Sequence, residues 1–134
     1  MTHIFTYGSL MFPEVWAHVV QGRHAAQVAS LDGFARHALH GQEYPGMVAS
    51  RGDSVRGVLY SDVSTADVAR LDRFEGDDYR RVQVVVAIEN TRETVMASTY
   101  LYTGAGLLED ELWDPDTFLA GRFLQSNPLP EADR

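Results

Sequence analysis

The chain of 134 residues is 45% hydrophobic, carries a formal charge of −8 with a pI near 4.9, and contains neither cysteine nor lysine, so its eleven basic residues are all arginine. Those absences remove thiol nucleophiles, thiolate metal sites, disulfides, Schiff-base catalysis and any lysine-dependent phosphate loop, and leave a reducing compartment as the default expectation. The acidic balance argues against nucleic acid and anionic membrane as partners, because phosphate binding needs a basic footprint.

One domain over residues 1–126, long enough to bury a core, is expected, with residues 127–134 as a loose tail. No apolar run reaches the ~18 residues a membrane helix needs, and the first residues lack a signal peptide's charged and apolar regions, so a cytoplasmic protein is expected.

Residues 2–7 alternate as a first strand that stops at Gly8, and Pro13 suits the first turn of a short helix over 13–20. Two strand-like pieces follow, broken at Asp32-Gly33. Glu43-Tyr44-Pro45-Gly46 reads as a turn, with short strands at 47–50 and 55–63. Ser64 with Asp67 three residues on resembles a capping box, and Val68, Leu71 and Phe74 share one face of the helix it starts.

The clearest hairpin is 79–89 with 93–102, joined by Asn90-Thr91-Arg92. Alternation puts Val95, Ala97, Thr99 and Leu101 on one face, and Met96, Ser98, Tyr100 and Tyr102 on the other. Gly104-Ala105-Gly106 lacks the rest of a dinucleotide fingerprint and reads as a loop. The acidic stretch 109–116 reads as a solvated face or loop, followed by a second helix over 115–125 that Asn127-Pro128 stops.

Two places could carry chemistry. Glu75 precedes the C′ glycine Gly76, where the helix dipole disfavours a carboxylate by a few tenths to about 1 kcal/mol. Beside Phe74 its charged form would be destabilised from two sides, which would poise it to exchange a proton near neutral pH. By itself such a residue is ordinarily a solvated carboxylate at a loop edge. At Tyr7-Gly8-Ser9-Leu10, a glycine ending a strand permits a turn whose N–H groups converge on an anion without lysine, although many such turns are purely structural. The five histidines show no metal-binding spacing, and Ser9 lacks a nucleophile-elbow context.

In order along the chain, Tyr7-Gly8-Ser9-Leu10, Gly57-Val58-Leu59-Tyr60, Leu71-Asp72-Arg73-Phe74-Glu75-Gly76 followed by Tyr79-Arg80-Arg81, and the late strand with Tyr100 and Tyr102 resemble the gamma-glutamylcyclotransferase-like family. Within it the chain is most similar to the short members grouped with gamma-glutamylamine cyclotransferase and the avirulence-induced-gene-like proteins. The resemblance implies an α+β fold, a small mixed, strongly curved or barrel-like β-sheet with flanking helices and a cavity at one end. It implies Glu75 as the catalytic acid/base and Tyr7, Gly8, Ser9 and Leu10 as the loop that holds the γ-glutamyl end of a substrate. Tyr102 is the better match to a family tyrosine near the substrate, with Tyr100 as the alternative. Tyr79 matches the pattern after the glutamate, and Arg81 rather than Arg80 is expected to face the cavity.

The implied reaction is attack of a substrate's own α-amine on its γ-carbonyl, giving 5-oxoproline and a free amine. It needs no protein nucleophile, metal or cofactor, which fits a chain without cysteine or lysine. The expected partner is therefore a small γ-glutamyl molecule, and the family members specialised for glutathione carry a longer, tryptophan-containing N-terminal pattern absent from residues 3–10. A non-catalytic module holding an amino-acid-like or carboxylate ligand in the same cavity is the alternative, and an interaction protein is a third reading. Oligomeric state is not readable from these residues.

Overall fold

A computed structural model describes residues 2–104 and 106–118. The elements run β1 (Thr2–Thr6), a 3-10 turn (Ser9–Met11), α1 (Pro13–Val19), β2 (Ala26–Leu39), β3 (Pro45–Val63), α2 (Thr65–Glu75), β4 (Tyr79–Ile88), β5 (Thr94–Tyr102), β6 (Leu108–Leu112) and a second 3-10 turn (Pro115–Thr117). The strands are ordered β3-β1-β5-β4-β2-β6, and a further β3–β2 pairing closes the first five into a small barrel. β1 runs antiparallel to β3 and parallel to β5, so the chain's first strand is enclosed on both edges.

The alternation expected for the hairpin decides where the two halves of the core lie. Ala97 and Val86 enter a cluster inside the barrel with Phe5, Tyr7, Leu31, Met47, Val55 and Leu59. Tyr100 joins a second cluster on the opposite face, where Ile4 and Tyr60 meet Val15, Trp16 and Val19 of α1 and Val68 and Leu71 of α2. One sheet is thus apolar on both faces over β1, which is why Ile4 and Phe5 are both fully buried. Trp16 stacks flat on Tyr60 at 3.7 Å and anchors α1 to the sheet.

α2 starts as the spacing predicts, with the Ser64 hydroxyl accepting from the Asp67 amide at 3.1 Å. It ends at Gly76, whose φ of +76° lies in the left-handed region that favours glycine. The register shift between Asp32 and Phe34 falls at the expected Asp32-Gly33 break.

Four expectations change. The two short strands at 47–50 and 55–63 are one strand, β3, because β2 pairs along both pieces, and residues 50–53 bulge opposite Gly33. Ser50 ties that bulge by donating to the Asp53 carboxylate. Pro45 and Gly46 consequently belong to β3, and the turn lies before them. The acidic stretch is not all loop: Leu108 and Leu112 pair with Leu39 and His37, which makes β6 an edge strand with acidic residues between the leucines. At 115–117 there is one 3-10 turn, capped by the Asp114 carboxylate at 2.9 Å from the Asp116 amide, and Phe118 is extended against Phe12 and Trp113. The rest of the expected second helix and the tail lie outside the described residues.

Candidate active site

A cavity of about 210 Å³ opens where β1 runs into its 3-10 turn, faced by the end of α2 and the starts of β3 and β4. Its lining includes buried Phe5, Thr6, Tyr7, Ser9, Leu10 and Tyr100, half-buried Tyr44, Phe74, Glu75 and Tyr79, and exposed Asp78.

The N-terminal loop is held by its carbonyls, which frees its amides. Arg36 Nη1 donates to the Tyr7 carbonyl at 2.7 Å and to the Arg56 carbonyl at 3.1 Å, while the Tyr60 hydroxyl donates to the Leu10 carbonyl at 3.2 Å. The amides of Met11 and Phe12 close back on Gly8 and Ser9 at 3.0 and 3.2 Å. What remains are the N–H groups of Gly8, Ser9 and Leu10, which have no hydrogen-bond partner among the described residues and belong to the cavity lining. Buried amides without partners are rare, and here they form a ready cradle for anionic or carbonyl oxygen. A Cβ at Gly8 would meet Pro45 Cδ at 2.9 Å, so glycine lets the loop lie against β3.

Glu75 lines the cavity from the opposite side. Desolvation by the surrounding protein is the main cause, and the nearby charge of Asp72 the second, that raise its carboxyl to about 8. No hydrogen bond or ion pair to its carboxylate occurs among the described residues. Asp72 sits one turn earlier on α2 and is well partnered, accepting from the Tyr100 hydroxyl at 2.6 Å and from Arg81 Nε at 3.0 Å. The Tyr79 hydroxyl donates to the Pro45 carbonyl at 2.7 Å, and the Tyr7 hydroxyl to the Tyr100 carbonyl at 2.5 Å. Burial raises all three phenols, Tyr7, Tyr79 and Tyr100, above the ordinary tyrosine value; the charge of Glu75 adds to this at each, and at Tyr100 the bond to Asp72 does too. They are therefore fixed hydrogen-bond donors at neutral pH.

A family model described as "Gamma-glutamyl cyclotransferase, AIG2-like" matches residues 4–117, which takes in the loop, α2 and the hairpin. The chain belongs to this family. It is 35% identical to Protein AIG2 C of Arabidopsis thaliana over 75% of its own length and 61% of the relative's. To AIG2-like protein A of the same plant it is 31% identical, over 87% of its length and 66% of the relative's. The chain thus spans just under two thirds of these relatives. The solution structure of an Arabidopsis thaliana protein superposes with a TM-score of 0.70 at 27% identity, covering 93% of this chain and 87% of that one.

Of the site residues picked out in the sequence, the fold of this AIG2-like chain brings Tyr7, Gly8, Ser9, Leu10, Glu75 and Tyr79 to one cavity. Tyr102 and Arg81 are not among its lining residues. Tyr100 takes the place considered for Tyr102: both are on the same face of β5, but Tyr100 lies nearer the Ser98–Ile4 pairing and so nearer β1. Tyr102 instead sets its ring edge-on to Tyr79 at 5.5 Å. Arg81 pairs across the hairpin with Tyr100 and is intercepted by Asp72 before it reaches the cavity. The sequence reading missed Phe5, Thr6, Tyr44, Pro45 and Asp78 in the lining, and Asp72, Arg36 and Tyr60 behind it. Only Asp72 had a legible signal, its i, i+3 spacing from Glu75 on the helix.

Proposed function

We propose that this chain is a γ-glutamylcyclotransferase that converts a γ-glutamyl amine or amino acid to 5-oxoproline and a free amine, with Glu75 as general acid/base. The observation that carries the reading is a carboxyl raised to about 8 that shares one cavity with the amides of Gly8, Ser9 and Leu10, none of them with a hydrogen-bond partner among the described residues.

The substrate's α-nitrogen forms a bond to its own γ-carbonyl carbon, and the bond from that carbon to the leaving nitrogen breaks. The α-ammonium gives up two protons and the leaving nitrogen gains two, so atoms and charge balance without water. Glu75 in its ionised form takes a proton from the α-ammonium, and in its acid form returns one to the leaving nitrogen. A pKa near neutrality lets one carboxyl do both. The loop amides hold the α-carboxylate or the oxygen of the tetrahedral intermediate, and the tyrosine-lined cavity keeps the chain folded in near-attack geometry.

Incubation with a panel of γ-glutamyl amines and amino acids, followed by mass spectrometry of 5-oxoproline, tests the reading. Product is expected from at least one member, and Glu75→Gln is expected to lower turnover by roughly 10²- to 10⁴-fold, the range for general acid/base catalysis. Undiminished turnover in Glu75→Gln removes Glu75 from the mechanism. Saturable thermal stabilisation with every compound left intact makes the protein a binding module instead.

A further inference from the structure

The charged side chains that line the cavity among the described residues are Glu75 and Asp78, both acidic. An oxyanion formed there must draw its positive counterpart from outside the lining. Arg36, half-buried on β2, stands behind the loop: its Nη1 donates to the Tyr7 carbonyl at 2.7 Å, the Arg56 carbonyl at 3.1 Å and Met11 Sδ at 3.4 Å. The ring of Trp113 lies 5.5 Å from its guanidinium carbon. No carboxylate forms an ion pair with Arg36 among the described residues. Burial lowers its pKa and the charge of Asp114 opposes this, yet an arginine stays charged at neutral pH. Its charge therefore faces backbone carbonyls instead of a counter-ion.

The Tyr7 carbonyl and the Gly8 N–H are two ends of one peptide group. That group is trans, so the N–H points away from the oxygen that Arg36 holds, and Gly8 lines the cavity. A cation on the carbonyl oxygen fixes the peptide plane and polarises it, which makes the N–H a stronger donor. The other two loop amides are backed differently. The Ser9 N–H shares its peptide with the Gly8 carbonyl, and the Leu10 N–H with the Ser9 carbonyl; these accept from the neutral amides of Met11 and Phe12 at 3.0 and 3.2 Å. Two adjacent amides backed alike match the two oxygens of a carboxylate. The one amide backed by a full charge matches a single oxygen on which charge develops.

We propose that Arg36 is a positioning residue for the cyclisation: through the Tyr7–Gly8 peptide it makes the Gly8 amide the donor to the oxyanion formed from the substrate's γ-carbonyl, and leaves Ser9 and Leu10 to the α-carboxylate. This rests on the cyclotransferase reading. The carbonyl oxygen gains the π pair as the α-nitrogen adds and gives it back as the leaving nitrogen departs. Its charge exists only between those two events, so the effect of Arg36 falls on kcat.

Two substitutions separate charge from contact. Arg36→Gln keeps a hydrogen-bond donor without the charge, and Arg36→Lys keeps the charge; Arg36→Met, which retains an apolar stem, replaces Arg36→Gln if that variant does not fold. With a γ-glutamyl amide that the wild type converts, Arg36→Gln is expected to lower kcat by roughly 10- to 100-fold with KM little changed, less than the roughly 10²- to 10³-fold cost of losing an oxyanion donor outright. Arg36→Lys should recover most of that loss. Arg51→Gln, an equal charge change at an exposed position outside the cavity lining, should leave kcat as it is. An unchanged kcat in Arg36→Gln, a loss carried by KM alone, or an Arg36→Lys no better than Arg36→Gln overturns the proposal and leaves the cyclotransferase reading standing. Amide nitrogen-15 shifts read the same link without turnover. The Gly8 resonance should move further in Arg36→Gln than those of Ser9 and Leu10, and return in Arg36→Lys; equal movement of all three overturns the proposal. A wild type that converts no γ-glutamyl amide overturns the cyclotransferase reading and the oxyanion role with it, while the nitrogen-15 shifts still decide whether Arg36 polarises Gly8.

Discussion

The two ends of α2 each hold a carboxylate away from solvent, and the protein treats them in opposite ways. At the N-terminal end, Asp67 is 2% exposed and accepts from the Gln21 amide at 2.9 Å, the Gly22 amide at 3.0 Å and Arg70 Nη1 at 2.8 Å, with His24 Nε2 at 3.5 Å. Burial pushes its carboxyl up, but the two amides and Arg70 overcome this and hold it below the ordinary range. At the C-terminal end, half-buried Glu75 is desolvated too, but it has none of those donors and has Asp72 one turn away. The helix dipole favours the first and opposes the second. A carboxylate given three donors is a clip between α1's following loop and α2; one given none among the described residues is suited to carry a proton, the role proposed for Glu75.

The largest expected effect is on catalysis. Glu75→Gln keeps the size of the side chain and removes the proton, and the 10²- to 10⁴-fold fall in turnover that follows corresponds to roughly 3–5 kcal/mol of transition-state stabilisation. Removal of the other carboxylate should act on the fold instead. Asp67→Ala strips the acceptor from the part-buried amides of Gln21 and Gly22 and a partner from Arg70, so a loss of about 1–3 kcal/mol in urea unfolding is expected at pH 7. Because Asp67's folded pKa is depressed, its contribution is present above the unfolded carboxylate value and fades as the pH falls below about 4. The wild-type and Asp67→Ala stabilities should therefore converge in acid; a gap that stays constant down to pH 3 would falsify the charge-based account.

How much of this was legible in the sequence follows the range of the interactions. Ser64 and Asp67 announced the start of α2, and Gly76 its end, because caps are set by neighbours within a few residues. The parity of Tyr100 and Tyr102 was also legible, since alternation is local. Which of them reaches the cavity depends on the pairing of Ile4 with Ser98, 94 positions apart, and nothing local encodes that register. The same holds for Arg36, whose hold on the Tyr7 carbonyl spans 29 residues and frees the loop amides, and for Pro45, which accepts from Tyr79 across 34. The family resemblance supplied the loop and the glutamate as a pair; the carbonyl clamps that give the loop its donors came only with the fold.

The comparison also predicts a stability gain at the candidate active site. Glu75's folded pKa of about 8 lies above its ordinary value of 4.5, so the wild-type protein loses stability as the pH rises between those values and no further above them. Glutamine has no such dependence. Glu75→Gln should match the wild type near pH 4, become more stable through neutrality, and reach a gain of about 1–3 kcal/mol by pH 8–9, a figure reduced for the solvent that screens a half-buried group. Thermal melts of both proteins across that range measure it. Lower activity with higher stability is the signature of a group kept for chemistry.

The smallest effect isolates what Asp72 adds. Its charge is the second cause of Glu75's raised pKa, after desolvation, and its bonds to Tyr100 and Arg81 keep that charge in place. Asp72→Asn retains an oxygen able to accept from the Tyr100 hydroxyl, deletes the charge and releases Arg81 from its ion pair. Glu75 should then titrate below 8 but still above an exposed glutamate, because the desolvation remains. A carbon-13 titration of the Glu75 carboxyl reads this directly, and the acidic limb of kcat/KM should move the same way. A midpoint unchanged in Asp72→Asn would assign the whole shift to desolvation. A midpoint that falls to the ordinary glutamate value would assign it to the charge, and α2's C-terminus would then differ from its N-terminus by one neighbour rather than by its donors.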